Sequence, residues 1–282
     1  MDVVRPYGER VYAEGRMLAE SDEGVGLITF NQPQKRNAMS VDMWEGFGKI
    51  LDAFADDPDI RVVVLTGAGN KAFVSGGDIS QFEKEHGSRN AQAEYEKMTS
   101  AGRAKVAAFA KPVIARIRGY CLGGGLGIAM NADIRIAGVD SEFGITSARL
   151  GIAYGFDMVQ KLVALVGPAH ARMLLYSATR IDAREAQRIG LVNRVVPDEE
   201  LSDVVVDLAR TIADNAPLSV AAAKLAVTQA AATQAGATQA GAGSGREDEA
   251  LQKAVAACFE SEDAREGRTA FLEKRAPRFQ GR

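Results

Sequence analysis

Two glycine-rich segments carry the clearest chemical signal in this chain. Gly119-Tyr120-Cys121-Leu122-Gly123-Gly124-Gly125-Leu126-Gly127 leads from an apolar strand pattern into a helix pattern of small residues. Glycines at the start of a helix leave N–H groups unpaired, with the positive end of the helix dipole behind them. Such a place can stabilise an oxygen that gains negative charge during a reaction. The same glycines equally suit close packing of a helix on a sheet, and the residues alone leave both uses open. The other segment, Phe73-Val74-Ser75-Gly76-Gly77-Asp78, follows Gly67-Ala68-Gly69-Asn70-Lys71-Ala72. That hexapeptide has dinucleotide-like glycine spacing, but a nucleotide site needs a helix to begin there and an acidic residue at the end of the next strand. Neither is offered. His86 and His170 are the two histidines, neither in a metal-ligand spacing, so no metal is expected.

The elements that must position these segments alternate. Val25 to Phe30 reads as a strand, and Ser40 as the cap of a helix over Val41 to Ala55, with Met43, Phe47, Ile50 and Phe54 at helical spacing. Arg61 to Thr66 is a buried strand, Lys71 to Ile79 a glycine-rich loop, and Glu94 to Ala110 a helix. Val113 to Ile117 and Asp133 to Ala137 are further strands, separated by the helix of Gly123 to Asn131. Strand and helix in alternation imply an α/β layered core. From Pro168 onward the pattern is mainly helical. Asp182 can cap a helix that Gly190 ends, Leu191 to Val196 is a last strand, and helices follow over Glu199 to Asn215, Pro217 to Ala231 and Glu247 to Arg275. This divides the chain into a core over 1–200 and a helical C-terminal region over 201–282. Within the latter, Thr-Gln-Ala recurs at a five-residue period before Ala-Gly-Ala-Gly-Ser-Gly, which predicts a flexible insertion at about 228–246.

With 34 basic and 37 acidic residues the net charge is -3. No basic surplus points to nucleic acid, and no apolar stretch reaches a membrane-spanning length. Two cysteines and a charged N-terminus suit a cytoplasmic protein without a disulfide framework or a signal peptide.

Several blocks in order resemble the crotonase superfamily, also called the enoyl-CoA hydratase/isomerase family. They are Asn31 to Ser40 (NQPQKRNAMS), Ala72 to Ile79 (AFVSGGDI), Lys111 to Ala137, Phe143 to Gly155, Ala183 to Pro197 and Glu262 to Arg282. The resemblance implies a spiral of βαβ-type turns with a helical C-terminal region, self-association as a trimer or dimer of trimers, and an acyl-CoA substrate. CoA arrives as part of that substrate, so no separate cofactor is implied. The amides of Gly77 and Gly124 would form an oxyanion hole around the thioester carbonyl. Lys35 and Arg36 would lie near the CoA phosphates, and Ser75, Asp78 and Ile79 at the adenine end. Phe271 and Lys274 would reach the adenosine part, often from a neighbouring subunit.

Two departures change the expected chemistry. A hydratase of this family uses two glutamates to place and activate water, and here those positions hold Gly127 and Ser147. Neither can take a proton from water near neutral pH. The stretch Thr146 to Tyr154 resembles the methylmalonyl-CoA decarboxylase branch, which implies Thr146 and Tyr154 as groups that orient a departing carboxylate, although Gly77 stands where that decarboxylase carries histidine. Decarboxylation of a malonyl-type CoA is therefore expected slightly ahead of isomerisation or atypical hydration. Asp157 reads first as a helix cap, and an isomerase becomes attractive if it reaches the acyl group. A catalytically silent acyl-CoA-binding protein is the rival from another class.

Overall fold

The computed structural model describes residues 10–78, 89–234 and 244–282. Its elements begin with β1 (Arg10–Tyr12), β2 (Met17–Asp22), β3 (Val25–Phe30), α1 (Val41–Asp56), β4 (Val62–Gly67), β5 (Ala72–Val74) and α2 (Arg89–Ala108). Next come β6 (Val113–Ile117), β7 (Tyr120–Leu122), α3 (Gly124–Asn131), β8 (Ile134–Gly138), β9 (Glu142–Gly144) and α4 (Phe156–Ser177). The chain closes with β10 (Arg180–Asp182), α5 (Ala183–Arg188), β11 (Arg194–Val196), α6 (Leu201–Ala213), α7 (Pro217–Gln234), α8 (Ser244–Glu260) and α9 (Glu262–Glu273).

Among the described residues the strands form two sheets, ordered β1-β2-β3-β4-β6-β8-β11 and β10-β9-β7-β5. From β3 to β11 the larger sheet is parallel. Each turn of the spiral gives one strand to the larger sheet and the next to the smaller: β4 then β5, β6 then β7, β8 then β9. The corner between β6 and β7 is Gly119, whose φ of +63° and lack of a side chain let the backbone pass Lys71.

Strand β4 is buried on both faces, as its unbroken apolar run demands. Val63 and Leu65 join a core with α1, where Phe30 packs on Phe47 and on Phe73 at 5.4 Å each. Val62 and Val64 face the other way, onto Leu201, Val205, Ala209 and Ala213 of α6.

Several expectations need correcting. Ser40 sits at the α1 N-cap, yet its hydroxyl bonds the Asp42 carboxylate at 2.6 Å rather than a backbone N–H. The loop over Lys71 to Ile79 contains the buried strand β5, because Ala72, Phe73 and Val74 fill the core. Strand, not helix, thus follows Gly67, which removes the dinucleotide reading. The helix before Pro168 begins at Phe156 and bends at Gly167, where φ is +72°. Asp182 does cap α5, accepting from Glu185 N–H at 2.8 Å. The single helix expected over Glu247 to Arg275 is two, because the Ser261 side chain caps α9 through Ala264 N–H at 3.0 Å. The start of the expected flexible insertion, Thr228 to Gln234, continues α7. Residues 235–243 of that insertion lie outside the described residues.

Candidate active site

The smaller sheet brings the two glycine loops together. Strands β5 and β7 pair in parallel, Ala72 beside Tyr120 and Val74 beside Cys121. Their carboxyl ends are therefore neighbours, and each runs straight into a loop: Ser75 to Asp78 after β5, Gly123 and α3 after β7. Gly76 and Gly123 adopt φ values of +123° and +51°, conformations open to glycine, and each turns the chain just before the site glycine. A Cβ added at Gly124 would stand 3.8 Å from the Gly77 nitrogen, so the two amides are adjacent.

Among the described residues neither amide is tied up. Met39 forms an isolated parallel bridge with Gly77, in which Met39 N–H donates to Gly76 O at 2.8 Å and Asp78 N–H to Met39 O at 2.9 Å. That clamp uses the groups on either side and passes over Gly77 N–H itself. Gly124 is the first residue of α3, whose N–H has no carbonyl one turn earlier. Among the described residues neither N–H donates to a backbone carbonyl. Two such donors side by side, one of them at the start of a helix, are suited to one oxygen that becomes negative.

The loop ends are rigidly held. Gly123 N–H donates to Gly144 O at 2.9 Å, and the Tyr154 hydroxyl donates to Gly123 O at 3.0 Å. Burial pushes the Tyr154 phenol up, ahead of the smaller effects of Arg103, Cys121 and Asp157. Its proton therefore stays on and is engaged by the turn, which makes Tyr154 a positioning group here. Thr146 precedes a short 3-10 turn over Ser147–Leu150 and is half-buried, and among the described residues no hydrogen bond from its hydroxyl is present. On the other loop, the buried Asn37 side chain donates to Ala68 O and Ala72 O and accepts from Gln32 N–H. It pins the Asn31 to Ser40 segment onto β5.

Of the residues expected to bind CoA, four gather on that first loop. Lys35 pairs with the buried Asp78 at 2.7 Å. Ser75 N–H donates to Arg36 O at 3.1 Å, and the Arg36 guanidinium lies 5.1 Å from the centre of the Tyr120 ring. Ile79 lies outside the described residues. Phe271 and Lys274 are not brought to the loops. Phe271 is 83% exposed on α9, and Lys274 ends that helix with φ +54°. The tail packed on α9 bonds Arg61 at the starting end of β4, through Phe279 O at 2.7 Å. An open cleft of about 670 Å³ behind Arg36 and Tyr120 includes neither Gly77 nor Gly124.

The two positions that would carry glutamates differ. Ser147 is half-buried on the 3-10 turn. Gly127 is buried, and its side-chain space is filled: an added Cβ would be 2.8 Å from Met158 Sδ and 3.2 Å from Arg103 Cδ. Arg103 donates to Asp157 Oδ2 from Nε at 3.3 Å and Nη2 at 3.0 Å. Asp157 is thus an ion-pair partner in the first turn of α4, not a cap. Although partial burial pulls the other way, hydrogen bonding and charge from Arg103 hold its carboxyl below the usual range.

Tyr95 escaped the sequence reading. A Cβ added at Gly77 would meet its hydroxyl at 2.6 Å, and burial raises its pKa. The available signal was on α2, where Tyr95, Thr99 and Arg103 recur every four residues, on the side that carries Gly102 against Trp44. Thr99 and Arg103 are both buried polar residues. Among the described residues no group of three His, Cys, Asp or Glu side chains could hold a metal ion, and no helix is long and apolar enough to cross a membrane.

The fold is shared with known proteins. A short-chain-enoyl-CoA hydratase of Clostridium acetobutylicum is 36% identical over 265 residues, covering 92% of this chain and 95% of that protein. A crotonyl-CoA hydratase of Syntrophomonas wolfei is 37% identical over 266 residues, covering 93% and 97%. The crystal structure of an enoyl-CoA hydratase/carnithine racemase from Magnetospirillum magneticum superposes with a TM-score of 0.86 at 29% identity, over 96% of this chain and 97% of that one. The sequence model for enoyl-CoA hydratase/isomerase matches residues 20–282, and the chain belongs to that family, with the crotonase fold.

Proposed function

We propose that this protein is an acyl-CoA lyase or isomerase that forms a thioester enolate between Gly77 N–H and Gly124 N–H, without two-glutamate activation of water. The adjacency of those two unpaired amides supports this reading most. Its second support is the filled space at Gly127, which leaves the ordinary hydration machinery without its first carboxylate.

Decarboxylation of a malonyl-type CoA asks least of such a site. The bond from Cα to the carboxylate breaks, its electron pair passes into the enolate, and CO₂ leaves. The negative thioester oxygen is held by the two amides, and Cα then takes one proton from water to give the acyl-CoA. No base is required at any step. A positively charged Arg103 in the side-chain space of Gly127, and a neutral Tyr154 that fixes the oxyanion turn, suit an anionic substrate. CoA enters with the substrate, and no further cofactor is invoked. Trimer or dimer-of-trimers assembly belongs to the same proposal, supported by exposed Phe259, Phe271 and Leu272 on α8 and α9. Mass photometry reports it directly.

Isomerisation of a double bond is the second reading, and one observation favours it. Asp157 is a carboxylate held against Arg103 next to Gly127, and a single acid/base suffices to move a proton between two carbons. Incubating the purified protein with malonyl-, methylmalonyl-, crotonyl- and 3-enoyl-CoA and weighing the products separates the readings. Loss of CO₂ from the malonyl-type esters is the expected result. A water adduct of crotonyl-CoA as the main product would overturn it.

A further inference from the structure

Arg103 is far more deeply buried than its ion-pair partner. Its side chain is 6% exposed, whereas Asp157 is 46% exposed. Both bonds from the guanidinium end on the same oxygen, Asp157 Oδ2. Two of the five N–H donors are thereby used, and among the described residues no other acceptor meets it. The cation also stands where the chemistry is. Its Cδ borders the side-chain space of Gly127, less than one helical turn (about 5.4 Å) beyond Gly124. Its charge is felt at the Tyr95 hydroxyl beside Gly77 and at the Tyr154 hydroxyl on Gly123.

We propose that Arg103 recognises a free carboxylate on the acyl group, and so selects malonyl-type thioesters over plain acyl-CoA. This rests on the enolate reading of the Gly77 and Gly124 amides. In a malonyl group one carbon separates the thioester carbonyl from the carboxylate, so with the carbonyl at Gly124 the carboxylate stays close by and can turn toward the Arg103 guanidinium. Sharing the guanidinium with Asp157 keeps the hold on the carboxylate shallow, and CO₂ carries no charge for Arg103 to retain. Nothing in this requires Arg103 to transfer a proton, so it is a specificity-determining residue.

The test is a pair of affinities, read from the fluorescence of the single tryptophan, Trp44, which packs on α2 at Gly102. Stopped-flow mixing before turnover compares methylmalonyl-CoA with propionyl-CoA, which differ by the carboxylate. The full-length protein is expected to prefer methylmalonyl-CoA by about tenfold or more, in line with a charge-assisted contact. Arg103→Gln should erase that preference and leave propionyl-CoA binding within about twofold, and Arg103→Lys should restore part of it. Should Arg103→Gln fail to fold, Asp157→Asn decides: it frees the guanidinium and should tighten methylmalonyl-CoA alone. Equal affinity for the two esters in the unaltered protein, or Asp157→Asn acting on both alike, would overturn the proposal while leaving the CoA reading standing. Failure of both esters to bind would overturn the two together.

Discussion

The two halves of this site are built from different materials. The proposed oxyanion half is backbone: two N–H groups fixed by strand pairing, by the Met39 bridge and by the Tyr154 and Gly144 bonds to Gly123. The proton-handling half, in a family hydratase, is side chain, and here both positions have changed. A backbone donor survives every substitution but proline, whereas a glutamate is one substitution from loss. The kept half therefore defines what the protein can stabilise, and the changed half defines which reaction follows. Gly127 is not simply vacated, because Met158 and Arg103 fill its side-chain space.

The largest effect should come from the backbone half. Gly124→Pro removes one donor at a first-turn position that tolerates proline within a helix. It should lower kcat by about 10²–10³, corresponding to roughly 3–4 kcal/mol, while circular dichroism stays native. A loss of less than about tenfold would mean that Gly124 N–H does not meet the developing charge.

The changed half gives the next largest effect, on stability and not on rate. Gly127→Glu forces a side chain onto Met158 and should destabilise by about 1–3 kcal/mol through overpacking, seen as a lower melting temperature. It should produce no crotonyl-CoA hydration, since Ser147 still lacks the second carboxylate. Hydration appearing in that single variant would show that the space is open after all.

Between the halves lies Tyr154. Tyr154→Phe leaves Gly123 O without its hydroxyl donor and loosens the turn that aims Gly124 N–H. A neutral hydrogen bond of this kind contributes about 0.5–1.5 kcal/mol, so turnover should fall by up to about tenfold with little change in CoA-ester affinity. An unaltered rate would remove Tyr154 from the account.

The smallest effect concerns the Arg103 and Asp157 pair. The folded-state pKa of Asp157 is depressed, so its contribution to stability is present above the unfolded carboxylate pKa and lost as pH falls through the folded one. The difference in melting temperature between the unaltered protein and Asp157→Asn should be flat from neutral to mildly acidic pH. It should shrink only below the usual carboxylate range. A difference that disappears already near pH 6 would contradict the pairing.

Much of the fold was legible because it rests on local patterns. The apolar run of β4, the spacing of Met43, Phe47, Ile50 and Phe54, and the cap at Asp182 each state their element directly. Gly77 and Gly124 were legible through their glycine context and the family resemblance. What remained hidden depends on contacts between distant segments. Tyr154 looked like a group for the substrate until its hydroxyl was found on Gly123 O. Arg103 and Tyr95 lie on a helix that periodicity predicted, but no local pattern told which face would meet Gly127 and Gly77. Ser261 was missed because a serine cap between two helical patterns looks like helix interior.

The central claim is that two main-chain amides polarise one thioester oxygen, and the carbonyl itself reports this. Infrared difference spectra of propionyl-CoA carrying a ¹³C thioester carbonyl should show the stretch shifted to lower frequency when bound to the unaltered protein, with the shift largely lost in Gly124→Pro. A bound carbonyl that absorbs at its solution frequency, or an equal shift in both proteins, would contradict the account.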